Sequence, residues 1–480
     1  MKQIYKNIRV VMVLALLVTG MVSCKKEFLE VSPKGKLIAQ KVSDYNLLLS
    51  NLDLVNIGGD AQVPMGDEVA AVEPYFSGTS LKAGRLFRWN DVTYEPDEDA
   101  SELVVPLQNI YLFNKIINEV PDATDGTEQE KLSIKAEAMA GRAWTYFLLI
   151  NYFGKPYNET SSATDLGFPI VVKADVTETK FTRATVKEVY DFIVTDLVAA
   201  IPHLPKQTTH RLRMSKAAGE GILGKVYMFM GKFNEALPHL NAALTDITNA
   251  AIPVRLYDYN QTFAPGGAFM PIGLFGPSYP SVPNNEENVL GKQVFNYWTF
   301  SDNEFVINEK TVDLYDPFDL RLNFYSPTAF FGPAYQPGLL RKIGPGSIQY
   351  GVVVPDLYLL RAECKARTND LSGAKEDVET LRKNRLPENN WNVPSVIVGQ
   401  KVPLVKFIIE ERIREFAVCG YRWFDMRRLS VDPLFVGTTY THTLYSETGI
   451  TTTFTLKPER FVLRFPQKLI NDNPGMQNNP

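Results

Sequence analysis

Two stretches of the chain interleave flat rings with amide, carboxylate and guanidinium side chains. The first, Tyr75 to Tyr94, carries Arg85, Trp89, Asn90 and Asp91; the second, Tyr279 to Phe300, carries Asn284, Asn285, Gln293, Asn296, Tyr297 and Trp298. The chemistry open to such a set is recognition. A ring can stack on a flat apolar face of a ligand while polar groups hydrogen-bond its rim, as in a concave site with a few well-placed polar groups. By residue type, Trp89 and Trp298 are the candidate platforms, followed by Tyr75, Tyr279, Tyr297 and Trp391, with Arg85 and Asn296 as hydrogen-bonding partners. The competing reading of each Trp is a core residue beneath its loop.

Bond-breaking chemistry finds less support. Carboxylates are plentiful, but no Ser/His/Asp or activated-Cys arrangement stands out. His203, His210, His239 and His442 lack close metal-ligand spacing, which argues against zinc. The acidic run Glu95 to Glu102, EPDEDASE, offers oxygen ligands for calcium but lacks the Gly and the spacing of an EF-hand loop, so it reads as a solvated segment leading into a helix. No cofactor and no enzyme activity are expected.

The elements that must position these loops are helical. Met214 to Thr245 reads as one hairpin: Leu223, Gly224 and Tyr227 fall at helical spacing, Gly231-Lys232-Phe233 turns the chain, and Ala236, Leu240 and Ala243 resume the pattern. Asp356 to Arg385 echoes it, with Ala362 and Ala374 spaced as Gly224 and Ala236 are, and Asn369 at the turn. These offsets match the tetratricopeptide pattern, in which a small residue on one helix lets the next approach closely. Further helices are expected over Val42–Leu54, Leu103–Val120, Glu128–Pro156, Val186–Ile201 and within Pro403–Leu429. The Thr185/Glu188 pair forms a capping box, and Glu128–Pro156 should be buried nearly all round. The charges of 410–428, among them Arg412, Arg414, Arg428, Glu411 and Asp425, suggest partly buried ion pairs joining a helix end to the next segment. Cys364 reads as a buried free thiol. Residues 437–456 alternate and are Thr-rich, as in a strand pair.

Residues 57–100 and 253–350 differ in texture. The second holds 20 Gly or Pro and 19 aromatic residues in 98, against 11% aromatic residues in the whole chain, so long helices are barred and many rings need a core to enter or a ligand to face. Loop-rich regions on a helical scaffold are where function is expected.

The start carries an address. Lys2, Lys6 and Arg9 precede the apolar run Val10 to Val18, and Thr19-Gly20-Met21-Val22-Ser23 leads to Cys24. The run is too short to anchor a bilayer span and reads as a lipoprotein signal over 1–23, cleaved before Cys24, whose thiol is acylated. Residues 24–40 are a polar tether, and 41–480 are read as one domain. Losing Lys2, Lys6 and Arg9 takes the formal charge from −4 to −7, which argues against nucleic acid as a partner. The two thiols left after Cys24 are no disulfide framework in so long an exported chain.

Five ordered stretches carry a family resemblance: AEAMAGRAWTYFLLINYFGKP, RMSKAAGEGILGKVYMFMGKFNEAL, DLYLLRAECKARTNDLSGA, EERIREFAVCGYRWFDMRRL and the tail RFPQKLINDNPGMQNNP. A sixth, weaker, is LYDPFDLRLNF over Leu314 to Phe324. Together they resemble the SusD/RagB-like outer-membrane nutrient-binding lipoproteins over nearly the whole chain. The resemblance implies a mostly helical fold with about four tetratricopeptide-like helix pairs (about 41–54, 103–156, 185–250, 354–386 and 403–419), short strands and an irregular loop-built half. It also implies lipid anchoring to the outer membrane, facing the cell surface. There the protein would bind an oligosaccharide or another nutrient, without catalysis, and deliver it to a SusC-like TonB-dependent transporter. The motifs are scaffold motifs and carry no ligand-contacting residue over. The alternative from another class is a repeat scaffold binding a protein or peptide in its helical groove.

Overall fold

A computed structural model describes residues 39–294, 303–449 and 451–480. The main helices are α1 (Val42–Leu49), α2 (Leu81–Phe87), α3 (Ser101–Glu119), α4 (Glu128–Phe153), α5 (Val186–Ala200), α6 (Lys216–Phe229), α7 (Phe233–Asp246), α8 (Val354–Arg367), α9 (Leu371–Lys383), α10 (Lys401–Phe416) and α11 (Tyr421–Ser430). The fold is mostly α, and the long helices stack in chain order: α3 on α4, α4 on α5, α6 on α7, and α8 against both α7 and α9, with α10 beside α8.

Local chemistry explains these helices. Thr127 with Glu130 and Thr185 with Glu188 form reciprocal capping boxes at the starts of α4 and α5. Every residue of α4 from Ala140 to Phe153 is buried, as its all-round apolar pattern requires. Gly224 on α6 is a close-approach position: a Cβ there would lie 2.7 Å from the Leu240 side chain on α7. The hairpin turns are equivalent, Gly231 at φ +72° and Asn369 at φ +70°, each seven residues beyond the small residue of its first helix. The expected helix over Val42–Leu54 breaks after Leu49, because the Asn51 side chain accepts from the Asp53 amide and starts a 3₁₀ turn over Leu52–Val55.

Strands are short. β1 (Val69–Val72), β3 (Phe305–Ile307), β7 (Thr441–Tyr445) and β8 (Thr451–Thr455) form one sheet in the order β3-β1-β7-β8, with β1 and β7 parallel. β2 (Asn288–Val294) pairs antiparallel with β6 (Ile348–Val353), and β4 (Tyr325–Ser326) with β5 (Arg341–Lys342). Within 253–350 the described helices are single turns, as the Gly and Pro content predicts. One apolar cluster runs from Ile57 to Met476, so the loops of 57–100 lie on the same core as the helices.

Of the charges expected to pair around 410–428, Arg412, Arg414, Arg428, Glu411, Glu415 and Asp425 form buried ion pairs, Arg422 forms a partly buried one with Asp67, and Arg427 is buried with the Gly154 carbonyl as its hydrogen-bond partner. Arg412 bonds Asp356 at 2.7 Å and Asp425 at 2.8 Å, and Arg428 bonds Glu363 at 2.7 Å and Asp425 at 2.8 Å. Burial alone would raise the Asp425 carboxyl, but Arg412 and Arg428 outweigh it and hold it well below the usual carboxylate range. Cys364 is a buried free thiol, its pKa pushed up by burial.

Candidate functional site

Among the described residues the sequence-derived candidates do not converge. Trp89 is a core residue, not a platform: it is 6% exposed, its indole N–H donates to the Met65 carbonyl at 3.1 Å, and its face is covered by His442 with ring centroids 3.8 Å apart. Phe87 lies 4.4 Å from His442 in a parallel stack, so the imidazole is layered between two rings and leaves no free face for a ligand. Phe76 and Tyr94 of the same stretch are buried too. Loop composition was misleading here because 57–100 folds inward around β1 and α2.

Arg85 is half-buried and bound to Glu95 at 2.6 Å. Tyr279 is half-buried in an aromatic nest, 5.0 Å from Phe269 and 5.5 Å from Phe324 between ring centroids, with its hydroxyl accepting from Asn285 at 3.4 Å. Burial pushes its phenol well above the usual range. Trp391 is half-buried under the Lys383 ammonium, 4.2 Å from its ring. Tyr75 is half-buried and meets Tyr335 edge-on at 6.4 Å. Asn296, Tyr297, Trp298 and the lipidation candidate Cys24 lie outside the described residues.

Beside Tyr75 the structure assembles a ring surface that residue counting had not singled out. The turn 327–335 is closed by backbone bonds from Ala329 N to Pro333 O (2.9 Å) and from Tyr335 N to Pro327 O (2.8 Å). Its tip presents Phe330 and Phe331, with ring centroids 4.3 Å apart, and Phe331 is 83% exposed in the left-handed region at φ +53°. Holding a bulky residue there costs conformational energy, a pattern frequent at ligand clamps. Phe275, 59% exposed, lies 6.0 Å from Phe330, and the Arg341 guanidinium sits over the Phe330 ring at 5.7 Å. Asn303 fixes the turn: it accepts from Phe330 N at 2.6 Å, donates to Phe330 O at 3.1 Å, and its carbonyl accepts from the Tyr335 hydroxyl at 3.1 Å. A signal was present in Phe330-Phe331-Gly332-Pro333. Two adjacent rings flanked by Gly and Pro mark a turn, and turns run over the surface.

The arrangement offers stacking faces with amide, hydroxyl and guanidinium groups around them. Among the described residues no three His, Cys, Asp or Glu side chains gather in a way that could hold a metal ion, and no helix is long and apolar enough to cross a membrane.

Residues 27–228 match the SusD-like family described as starch-binding and associating with the outer membrane, and residues 355–480 match the SusD family. The chain belongs to the SusD/RagB-like family. Solved structures similar to this SusD-like protein include a putative sugar binding protein from Bacteroides vulgatus (21% identity, TM-score 0.71, covering 93% of this chain and 99% of that one). A SusD superfamily protein from Bacteroides thetaiotaomicron is 17% identical with TM-score 0.69, covering 92% of this chain and 100% of its own. A SusD-like carbohydrate binding protein from Bacteroides vulgatus is 16% identical with TM-score 0.64, covering 91% and 99%. At these identities the likeness concerns the fold. No curated protein matches the chain.

Proposed function

We propose that this SusD-like protein captures an oligosaccharide at the cell surface and delivers it, chemically unchanged, to a SusC-like TonB-dependent transporter of the outer membrane. The observation that carries the reading is the exposed ring surface of Phe275, Phe330 and Phe331, held by Asn303 and rimmed by Tyr75, Tyr335 and Arg341. Flat faces of this kind suit the C–H patches of sugar rings, and large exposed apolar rings are otherwise a solubility liability. Family membership supports the same reading, as do the sugar- and carbohydrate-binding names of two structural neighbours. Trp298, Tyr297 and Asn296 remain proposed contributors, since the described chain resumes at Asn303 beside this surface.

The test is equilibrium titration with a panel of neutral oligosaccharides, comparing the wild type with Phe331→Ala, Phe330→Ala and Trp298→Ala. The expected result is saturable binding that Phe331→Ala weakens by about tenfold or more, each lost stacking contact being worth roughly 1 kcal/mol or more. Absence of binding to every sugar, or affinity indifferent to both Phe substitutions, would overturn it.

Cys24 is the proposed lipid attachment point, with 1–23 removed as signal, 24–40 as tether and 41–480 as the folded unit. Cys24→Ser should move the protein from the membrane to the soluble fraction. Unchanged membrane partition would reject the anchor.

A further inference from the structure

A second polar site lies behind the ring surface. Strand β5 serves both: Arg341 covers Phe330, while Lys342 enters a cavity of about 90 Å³ between the 279–288 segment, β5 and the start of α11. At about 30 Å³ per water molecule in the liquid this is room for about three waters, more than a single structural water needs and enough for a small acid or the carboxylate end of a larger one.

The cavity wall leaves polar groups unpaired. Among the described residues Arg414 Nη2, the Tyr421 hydroxyl and Asn288 Oδ1 have no hydrogen-bond partner, although Arg414, Tyr421 and Asn288 are 4%, 3% and 0% exposed. Buried donors and acceptors are almost always satisfied, so three open groups on residues that line one cavity point to something that fills it. Charge points the same way. Around the cavity Arg321, Arg382, Arg385 and Arg414 are matched by Glu287, Asp319, Glu411 and Glu415. Lys342 is the cation left over. It is 7% exposed, donates to the Ala417 carbonyl at 2.8 Å and to Cys419 Sγ at 3.2 Å, and lies over the Tyr325 ring at 5.3 Å, so it has neutral partners and no carboxylate. Glu68, whose amide-side neighbour is Val418, does not balance it at neutral pH, because burial and Asp67 push its carboxyl up to about 8.

We propose that this cavity binds a small hydroxy-carboxylate, either a free hydroxy acid or the uronate unit of a glycan. The carboxylate accepts from Lys342, Arg414 and Tyr421, and a ligand hydroxyl donates to Asn288 Oδ1. A carboxylate supplies the missing negative charge, and the hydroxyl answers the one open acceptor, which a simple anion such as chloride would leave unmet. Tyr279, Gln349 and Cys419, each half-buried, line the cavity too and supply its solvent side. The site does not depend on the Phe330–Phe331 surface.

The experiment is calorimetric titration of the full mature chain with lactate, D-glucuronate, a glucuronate-containing disaccharide and D-glucose. Binding of lactate and glucuronate supports a free acid; binding of the disaccharide alone supports a glycan-borne uronate; D-glucose should leave the site empty. Tyr421→Phe removes a hydroxyl with no protein partner, so it should keep the melting temperature and weaken the carboxylate by about tenfold, the value of a charge-assisted hydrogen bond. Lys342→Met should abolish binding. Iodoacetamide labelling mapped by mass, which reads Cys419 apart from Cys364 and Cys24, should show Cys419 protected by ligand. Failure of all three carboxylates to bind, or equal binding by wild type, Tyr421→Phe and Lys342→Met, would overturn the proposal. Phe331→Ala should leave carboxylate binding intact while weakening neutral oligosaccharides, so this site and the ring surface can fail separately.

Discussion

In the helical half, Arg412 reaches Asp356 and Asp425; in the loop-built half, Lys342 reaches a carbonyl, a thiol and the face of Tyr325, and no carboxylate. The contrast extends outward from each cation. Around Arg412, the cations Lys225, Arg367, Arg412 and Arg428 meet Asp356, Glu363, Asp425 and Asp432, and every charge is matched. Around Lys342 one positive charge and several polar atoms stay open. Rings divide in the same way: Trp144, Tyr146 and Phe147 of α4 are sealed in the core, whereas Phe275 and Phe331 stand in solvent. Around Arg412 complete charge pairing holds shape, whereas around Lys342 the open groups also line a cavity, which is what makes them available to a ligand.

The sharpest way to break this comparison is one exchange made in both halves. Arg412→Met takes one of two cations from each of two buried carboxylates, leaving Asp356 to Lys225 and Asp425 to Arg428, and should cost about 3 kcal/mol in urea unfolding, whereas Lys342→Met takes a cation from no carboxylate and should cost less than about 1 kcal/mol. Equal costs would erase the distinction between the two networks.

Next in size is Trp89→Ala. As a packed indole bonded to Met65 it should lose about 3–5 kcal/mol of stability, with sugar affinity unaltered in the protein that remains folded. A selective loss of affinity with stability intact would return Trp89 to the binding surface.

Glu68 gives a pH-dependent effect. Its folded pKa of about 8 lies above the unfolded value near 4.5, so its contribution is full below pH 4.5 and is lost as pH rises through 8. Glu68→Gln should flatten that decline and gain roughly 1–3 kcal/mol over the wild type at pH 8, read from unfolding curves across pH 5–9. Parallel curves would mean that Glu68 ionises freely in the fold.

The smallest stability change belongs to Phe331→Ala, within about 0.5 kcal/mol of wild type because the ring is exposed, although its effect on sugar affinity should be large. A large loss of stability would move Phe331 from the ligand surface to the scaffold.

Much of the scaffold was legible in the residues. The Thr185/Glu188 cap and the buried α4 follow from spacings of three or four residues, the Gly224/Leu240 approach from sixteen residues of a single hairpin, and the charges of α10 and α11 announced a buried network. The acceptor Asp356 was less visible, since it stands 56 residues from Arg412. The ring surface was the least legible part. Trp89 and Phe331 both sit among turn-formers, and local composition does not say which of them turns inward.

Helices are specified by hydrogen bonds that close within four residues and by side chains three or four apart, so the sequence alone determined the fold class and the repeat. Whether a ring is core or surface depends on what the rest of the chain lays against it. His442, which covers Trp89, comes from a strand that bonds Phe87 across 355 residues. Among the described residues no comparable partner covers Phe331, and the open groups around Lys342 likewise emerge only when β5, α10 and α11 meet. Burial is a long-range property, and only the tertiary structure decided it.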